Sequence, residues 1–376
     1  MGTRTYPLVL KVLFLFFVLI SIAGNSHSIN LVKSEDLPMV LDGMKKISNA
    51  EYDAGFSLFQ QYIDRNPEHP SGYFFMSAAY ELMMQYTNFE TGMKPFKKYS
   101  RRCLGIVQAK LRENPSDSVS LFYYGALQGY MGLQAARHRS MLQAFRSASN
   151  ARRNLENALE LNPELYDAYL GLGLLFYYAS KKHQEVGGVL GWFLRRFVTH
   201  NKDLRQEGMD MLKLAMEKGE LSREYAKRGL MWMNLLEKNY DEAYSQALEI
   251  SKESPNDKNS LWVLARIEMK RKQYELSHSH FQEIAQLVGK EKLEAEVFKD
   301  VWMGAKLAST GQHIHEKDFN EAESINNTVR KWLEDKPTAS IEFIDEKNLF
   351  ANWKDLSDQY SESIRNGQSE LVQATE

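Results

Sequence analysis

Few residues in this chain have the types and spacing for covalent or metal chemistry. His313-Ile-His315-Glu316 and His278-Ser-His280 each bring two imidazoles together. A metal ion needs three or four convergent ligands, and histidines two positions apart do not share a helix face. Both clusters read as solvated histidines, and no metal is expected. Cys103 is the only cysteine. It has no local histidine to activate it and reads as a buried structural thiol. Carboxylates lie among lysines, as at Asp257-Lys258 and Glu291-Lys292, so no acid–base pair stands out. Gly171-Leu-Gly173 and Gly187-Gly188 superficially suggest phosphate loops, but the first falls in a helical pattern with no strand before it. A Walker-type glycine-lysine motif, a Gly-x-Ser-x-Gly elbow and a His-Glu-x-x-His pair are all missing from the sequence. The expectation is a non-enzyme with no cofactor.

The chemistry that remains is recognition. Aromatic residues make up 12% of the 376 residues. Lys+Arg number 47 against 49 Asp+Glu, a net charge of −2, which lacks the cationic excess of a general nucleic-acid binder. The 43% hydrophobic content is too high for wholesale disorder. One cysteine cannot form an internal disulfide.

The N-terminal residues read as an export signal. Arg4 and Lys11 precede an apolar run from Val12 to Ala23, and the chain then turns small and polar at Gly24-Asn25-Ser26-His27-Ser28. The run is shorter than the roughly 20 residues that cross a bilayer. Residues 1–28 are therefore expected to be a signal peptide, with −3/−1 pairs at Ser21/Ala23 and Ser26/Ser28. An uncleaved anchor, extended by Leu8-Val9-Leu10, is the alternative. The expected location is exported, periplasmic or envelope-associated.

The elements that must position the aromatics are helices. Past residue 30 apolar residues recur at three- and four-residue spacing. Asn66-Pro67, Asn114-Pro115, Asn162-Pro163 and Ser254-Pro255 each close an amphipathic stretch, as repeat boundaries would. Similar faces follow: Tyr73-Met76-Ser77-Tyr80, Leu121-Tyr124-Gly125-Gln128, Tyr169-Leu172-Gly173-Phe176 and Leu261-Leu264-Ala265-Glu268. The small residue in each lets helices approach to the close end of roughly 8–10 Å. The prolines are 115 − 67 = 48 and 163 − 115 = 48 residues apart, and the 92 from Pro163 to Pro255 reads as two units of 46. Three closing helices are expected at Leu293–Leu307, Glu321–Leu333 and Asn348–Ile364.

This pattern resembles the tetratricopeptide-repeat superfamily, most closely from Leu161-Asn-Pro163 through Tyr169-Leu-Gly-Leu172-Gly173 to Phe176. Tyr52-Asp-Ala-Gly55 and Tyr240-Asp-Glu-Ala243 resemble the second helix of its repeat. The units here are longer than the family's roughly 34 residues. The resemblance implies an all-α, right-handed superhelical solenoid of about five or six antiparallel hairpins. It places the repeats at 30–290, closing helices at 291–365 and a flexible polar tail at 366–376.

It also implies a concave groove that holds a protein or peptide partner, lined by Phe74, Phe122, Leu170, Leu174, Tyr177, Arg228, Trp232, Trp262 and Arg266. Trp, Tyr and Arg are the residues of interface hot spots. A small apolar solute in an enclosed pocket, with a role in solute or lipid uptake, is the second expectation. Nucleic acid is not an expected partner. Membrane contact is expected, if anywhere, at the N-terminal segment or at the apolar, aromatic and basic insertion 186–198, including Trp192, Arg195 and Arg196.

Overall fold

The computed structural model describes residues 31–84, 89–138, 140–185, 191–192, 194–290, 295–335 and 353–375. The expected signal segment, residues 1–28, lies outside them. Among the described residues the chain is helical, with no strand. The helices are α1 (Leu37–Ser48), α2 (Tyr52–Arg65), α3 (Pro70–Met84), α4 (Phe89–Glu113), α5 (Ser118–Arg137), α6 (Met141–Leu161) and α7 (Asp167–Glu185). A π-helix (Leu194–Thr199) precedes α8 (Arg205–Lys218), α9 (Arg223–Leu236), α10 (Tyr240–Glu253), α11 (Lys258–Lys270), α12 (Tyr274–Lys290), α13 (Ala295–His315), α14 (Phe319–Asp335) and α15 (Trp353–Thr375).

Each helix packs on the next in the chain, giving seven hairpins closed by α15. Most odd-numbered helices also pack on the next odd-numbered one: α1 on α3, α3 on α5, α5 on α7, α7 on α9, α11 on α13 and α13 on α15, while α9 and α11 meet through the Trp232 and Trp262 rings. Even-numbered helices show no comparable second-neighbour packing among the described residues. The odd-numbered helices thus form the tighter, inner side of an all-α solenoid. Three core clusters succeed one another along it, centred on hairpins one to three, four to six, and six and seven with α15.

Local chemistry explains the boundaries. Pro67, Pro115, Pro163 and Pro255 all stand in turns between hairpins, where a missing N–H costs no helical bond. The Asn114 and Asn162 side chains each accept from the backbone N–H two residues on, at 3.1 Å, a local bond that favours turns. Tyr73 and Tyr169 then donate back to the Pro67 and Pro163 carbonyls at 3.0 and 3.3 Å. Asp117 and Asp257 cap α5 and α11 by accepting from Ser120 N–H at 3.2 Å and Ser260 N–H at 2.9 Å.

The repeat length is not uniform. From Arg223 to Lys258 the fifth unit spans 258 − 223 = 35 residues, and from Asp167 to Arg223 the fourth spans 223 − 167 = 56. The expected pair of 46-residue units is therefore one short hairpin and one enlarged by the insertion before α8. Among the described residues seven hairpins form rather than five or six, because Ala295–His315 and Phe319–Asp335, expected as closing helices, pair as a further hairpin. Hairpins one, five, six and seven turn on a left-handed residue: Ala50, Lys238, Lys272 and Lys317, with φ of 62°, 65°, 61° and 62°. Each stands two residues before the aromatic that opens the second helix: Tyr52, Tyr240, Tyr274 or Phe319.

The last helix continues to Thr375, through the stretch expected as a flexible tail. Gly367 lets the Phe319 ring lie against it, and Gln368 donates to Glu323 at 3.3 Å, so α15 is packed on α14 beyond residue 365.

Candidate functional site

The odd-numbered helices carry every residue expected in the groove, and the structure divides those residues into two groups. Phe74, Phe122 and Tyr177 are 9%, 7% and 0% exposed. Phe74 lies 5.3 Å from the Tyr123 ring and 5.9 Å from Tyr130. Tyr225, at the start of α9, packs against this first-half core beside Ser48 of α1 and Tyr130 of α5. The inner side of the first three hairpins is thus filled by the protein itself, so Phe74 and Phe122 present little surface. Tyr177 instead ties α7 to α9, donating to Glu237 at 2.8 Å. Burial and that carboxylate push its phenol far above the ordinary value.

The second half differs. From Ser260 to Met269 every side chain of α11 is buried except Trp262, which is half-buried. Arg228 and Trp232 are half-buried on α9, one turn apart on a shared face. The Trp232 and Trp262 rings stand 5.3 Å apart at 36°. Arg228 donates through Nε to Asp257 Oδ2 at 2.7 Å and lies 3.4 Å from Glu224. Burial opposes its charge, but Asp257 more than compensates and the guanidinium pKa is raised. Leu170 and Leu174 of α7 are also half-buried and pack against the same core as the two tryptophans. An apolar strip, aliphatic on α7 and aromatic on α9 and α11, therefore runs across these helices beside the Arg228 guanidinium.

Arg266 is 3% exposed, and its guanidinium lies 4.7 Å from the Trp262 ring and 3.8 Å from Trp353. It supports Trp262 from behind. Trp353 was not foreseen in this role. It falls inside the expected closing helix Asn348–Ile364, whereas α15 starts at Trp353; residues 336–352 lie outside the described ones.

His278 and His280, expected as solvated, are half-buried on α12 and have polar partners. His280 Nδ1 pairs with Glu268 at 2.8 Å, which raises the imidazole pKa against the opposing effect of burial. Tyr244 donates to the other Glu268 oxygen at 3.1 Å. His278 meets the Ala305 carbonyl at 2.9 Å. No group of metal ligands gathers among the described residues. Cys103 is buried, which pushes its thiol up to about 12. A cavity of about 430 Å³ between α6, α7 and α8 is lined by Arg152, Glu156, Glu160, His200, Lys202 and Glu207 as well as apolar side chains. Its charged lining gives no support to an enclosed apolar pocket. Of the insertion, Trp192 is 53% exposed, and residues 186–190 and 193 lie outside the described set. No described helix is long and apolar enough to cross a membrane.

No protein-family model matches the chain, and no curated protein does. Among solved structures, a thermophilic TPR protein of Thermus thermophilus is similar at 16% identity over 62% of this chain and 99% of that one, with a TM-score of 0.38. Yeast Tom70 is similar at 9% identity over 90% of this chain and 96% of that one, with a TM-score of 0.19. The assignment of a TPR-like fold rests on the hairpins themselves.

Proposed function

We propose that this chain is a protein-interaction scaffold that holds a protein or peptide partner on the inner face of hairpins four to six. The observation that carries this reading is the Trp232–Trp262 pair, two half-buried indoles 5.3 Å apart on neighbouring inner helices. Large, rigid aromatics lose little conformational freedom on binding and dominate interface energetics. Arg266 and Trp353 hold Trp262 in place, which lowers the ordering cost further. Arg228, already fixed by Asp257, presents a cation at the edge of the strip. The partner-binding set is thus Arg228, Trp232 and Trp262, supported by Arg266. Phe74, Phe122 and Tyr177 act as core.

The basic start and short apolar run of residues 1–28 support export, with the partner in the same compartment. The test is capture from a native envelope extract with the full-length chain and with Trp232→Ala/Trp262→Ala at matched thermal stability. The reading expects proteins retained by the first and lost by the second. Retention of the same set by both overturns it.

A further inference from the structure

The first described residues do not trail away from the solenoid. Leu31 and Val32 are each 2% exposed and share a core cluster with Phe74, Phe122 and Tyr123. Residues 31–33 are neither helix nor strand. From the third hairpin, the Tyr123 hydroxyl donates to the Leu31 carbonyl at 2.6 Å. Lys33 lies near the Tyr62 phenol of the first hairpin. That phenol lies 2.8 Å from the Ser71 hydroxyl at the start of α3, and Ser71 lies 2.6 Å from His69 Nδ1. Asp36 then accepts from Asn66 at 2.8 Å and Arg65 at 3.3 Å, which fixes the start of α1.

These are the contacts a bound peptide makes: a main-chain carbonyl on a fixed hydroxyl, and adjacent aliphatic side chains among aromatics. A strap that only joined α1 to what precedes it would have no need to cross three hairpins. We propose that Leu31–Lys33 is a built-in peptide ligand, a bent, non-helical segment with two adjacent aliphatic side chains that occupies a docking site formed by Tyr62, Ser71, Phe74 and Tyr123. Tethered in cis, it is present at an effective concentration on the order of millimolar, so the site is closed in the intact chain. This site is separate from the tryptophan strip and stands whether or not that strip binds a partner.

The test uses the full chain and a labelled, acetylated peptide of residues 31–36. Leu31→Asp/Val32→Asp is expected to release the strap. The peptide should then bind saturably, at least tenfold tighter than to the unaltered chain, and adding Tyr123→Phe should weaken that binding about fivefold, the loss of one net hydrogen bond. A folded double variant that takes up no peptide overturns the proposal, as does equal binding to the unaltered chain. Should the double variant not fold, hydrogen exchange on Tyr123→Phe decides. Amides 33–36 are expected to exchange about fivefold faster while those of α11 keep their rates. No selective change at 33–36 overturns the proposal.

Discussion

Gly173 and Gly208 meet backbone to backbone where α7 crosses α8. A Cβ on Gly173 would stand 2.7 Å from the Gly208 carbonyl oxygen, and one on Gly208 2.6 Å from the Gly173 carbonyl oxygen. Neither carbonyl can move without disturbing its helix. The small residue of the strongest repeat match therefore sets the spacing within a hairpin, not between hairpins. Gly173→Ala is expected to cost about 1–3 kcal/mol by overpacking, and Gly173→Leu more. Gly105 and Gly129, whose added Cβ atoms meet nothing within 4 Å, should gain up to about 1 kcal/mol on change to Ala. Urea unfolding followed by circular dichroism separates the two classes, and equal effects at Gly173 and Gly105 would contradict the close crossing.

Asp167 fastens the fourth hairpin to the fifth. It is 8% exposed and accepts from the Leu221 and Ser222 N–H groups at 2.8 and 2.7 Å. Asp167→Ala leaves those donors without their acceptor and is expected to cost about 1–3 kcal/mol. Asp167→Asn keeps one acceptor oxygen and should cost less. Chemical denaturation of both variants checks the order.

His69 gives the N-terminal half an acid sensitivity. Burial, with Lys110 and Lys33 nearby and only Asp117 opposing, lowers its pKa to about 4. The unfolded chain binds the proton first, near 6.5. Stability is therefore full above pH 6.5 and falls as pH drops toward 4, by on the order of 3 kcal/mol. His69→Gln should flatten stability across that window. An unchanged pH profile would contradict the assignment.

His280 has the opposite sign. Its pKa is raised, first by the hydrogen bond to Glu268. Its contribution is complete below about 6.5, the unfolded value, and is lost as pH rises through the higher folded value. His280→Gln should thus destabilise more at pH 6 than at pH 9. Thermal melts at the two pH values provide the check, and a cost that does not depend on pH would refute the charged pair.

Much of this fold was legible from residue types. The four proline turns and the helix faces after them carry strong local signals, because proline ends helices and small residues mark close contacts. Lys272-Gln-Tyr274 and Lys317-Asp-Phe319 repeat the turn of Lys238-Asn-Tyr240, yet the proline spacing does not reveal them, since the prolines mark the turns between hairpins and these lie within them. Burial at the site was less legible. Phe74 and Trp262 occupy equivalent helix positions, but Phe74 packs among Phe122, Tyr123 and Tyr130 and shares a core with Leu31 and Val32. Those contacts join the third hairpin and the segment before α1 to α3, which no local window of sequence encodes. Trp353 escaped notice for the same reason, because its contact with Arg266 joins α15 to α11.

The central claim is that a partner lies on the inner face, against Trp262, and not on the outer helices. A photo-crosslinking side chain placed at position 262, compared with one at exposed Leu142 of α6 or Leu248 of α10, tests it most directly. The account predicts a crosslinked partner from position 262 and none from 142 or 248. Crosslinks of equal yield from the outer positions, with none from 262, would contradict it.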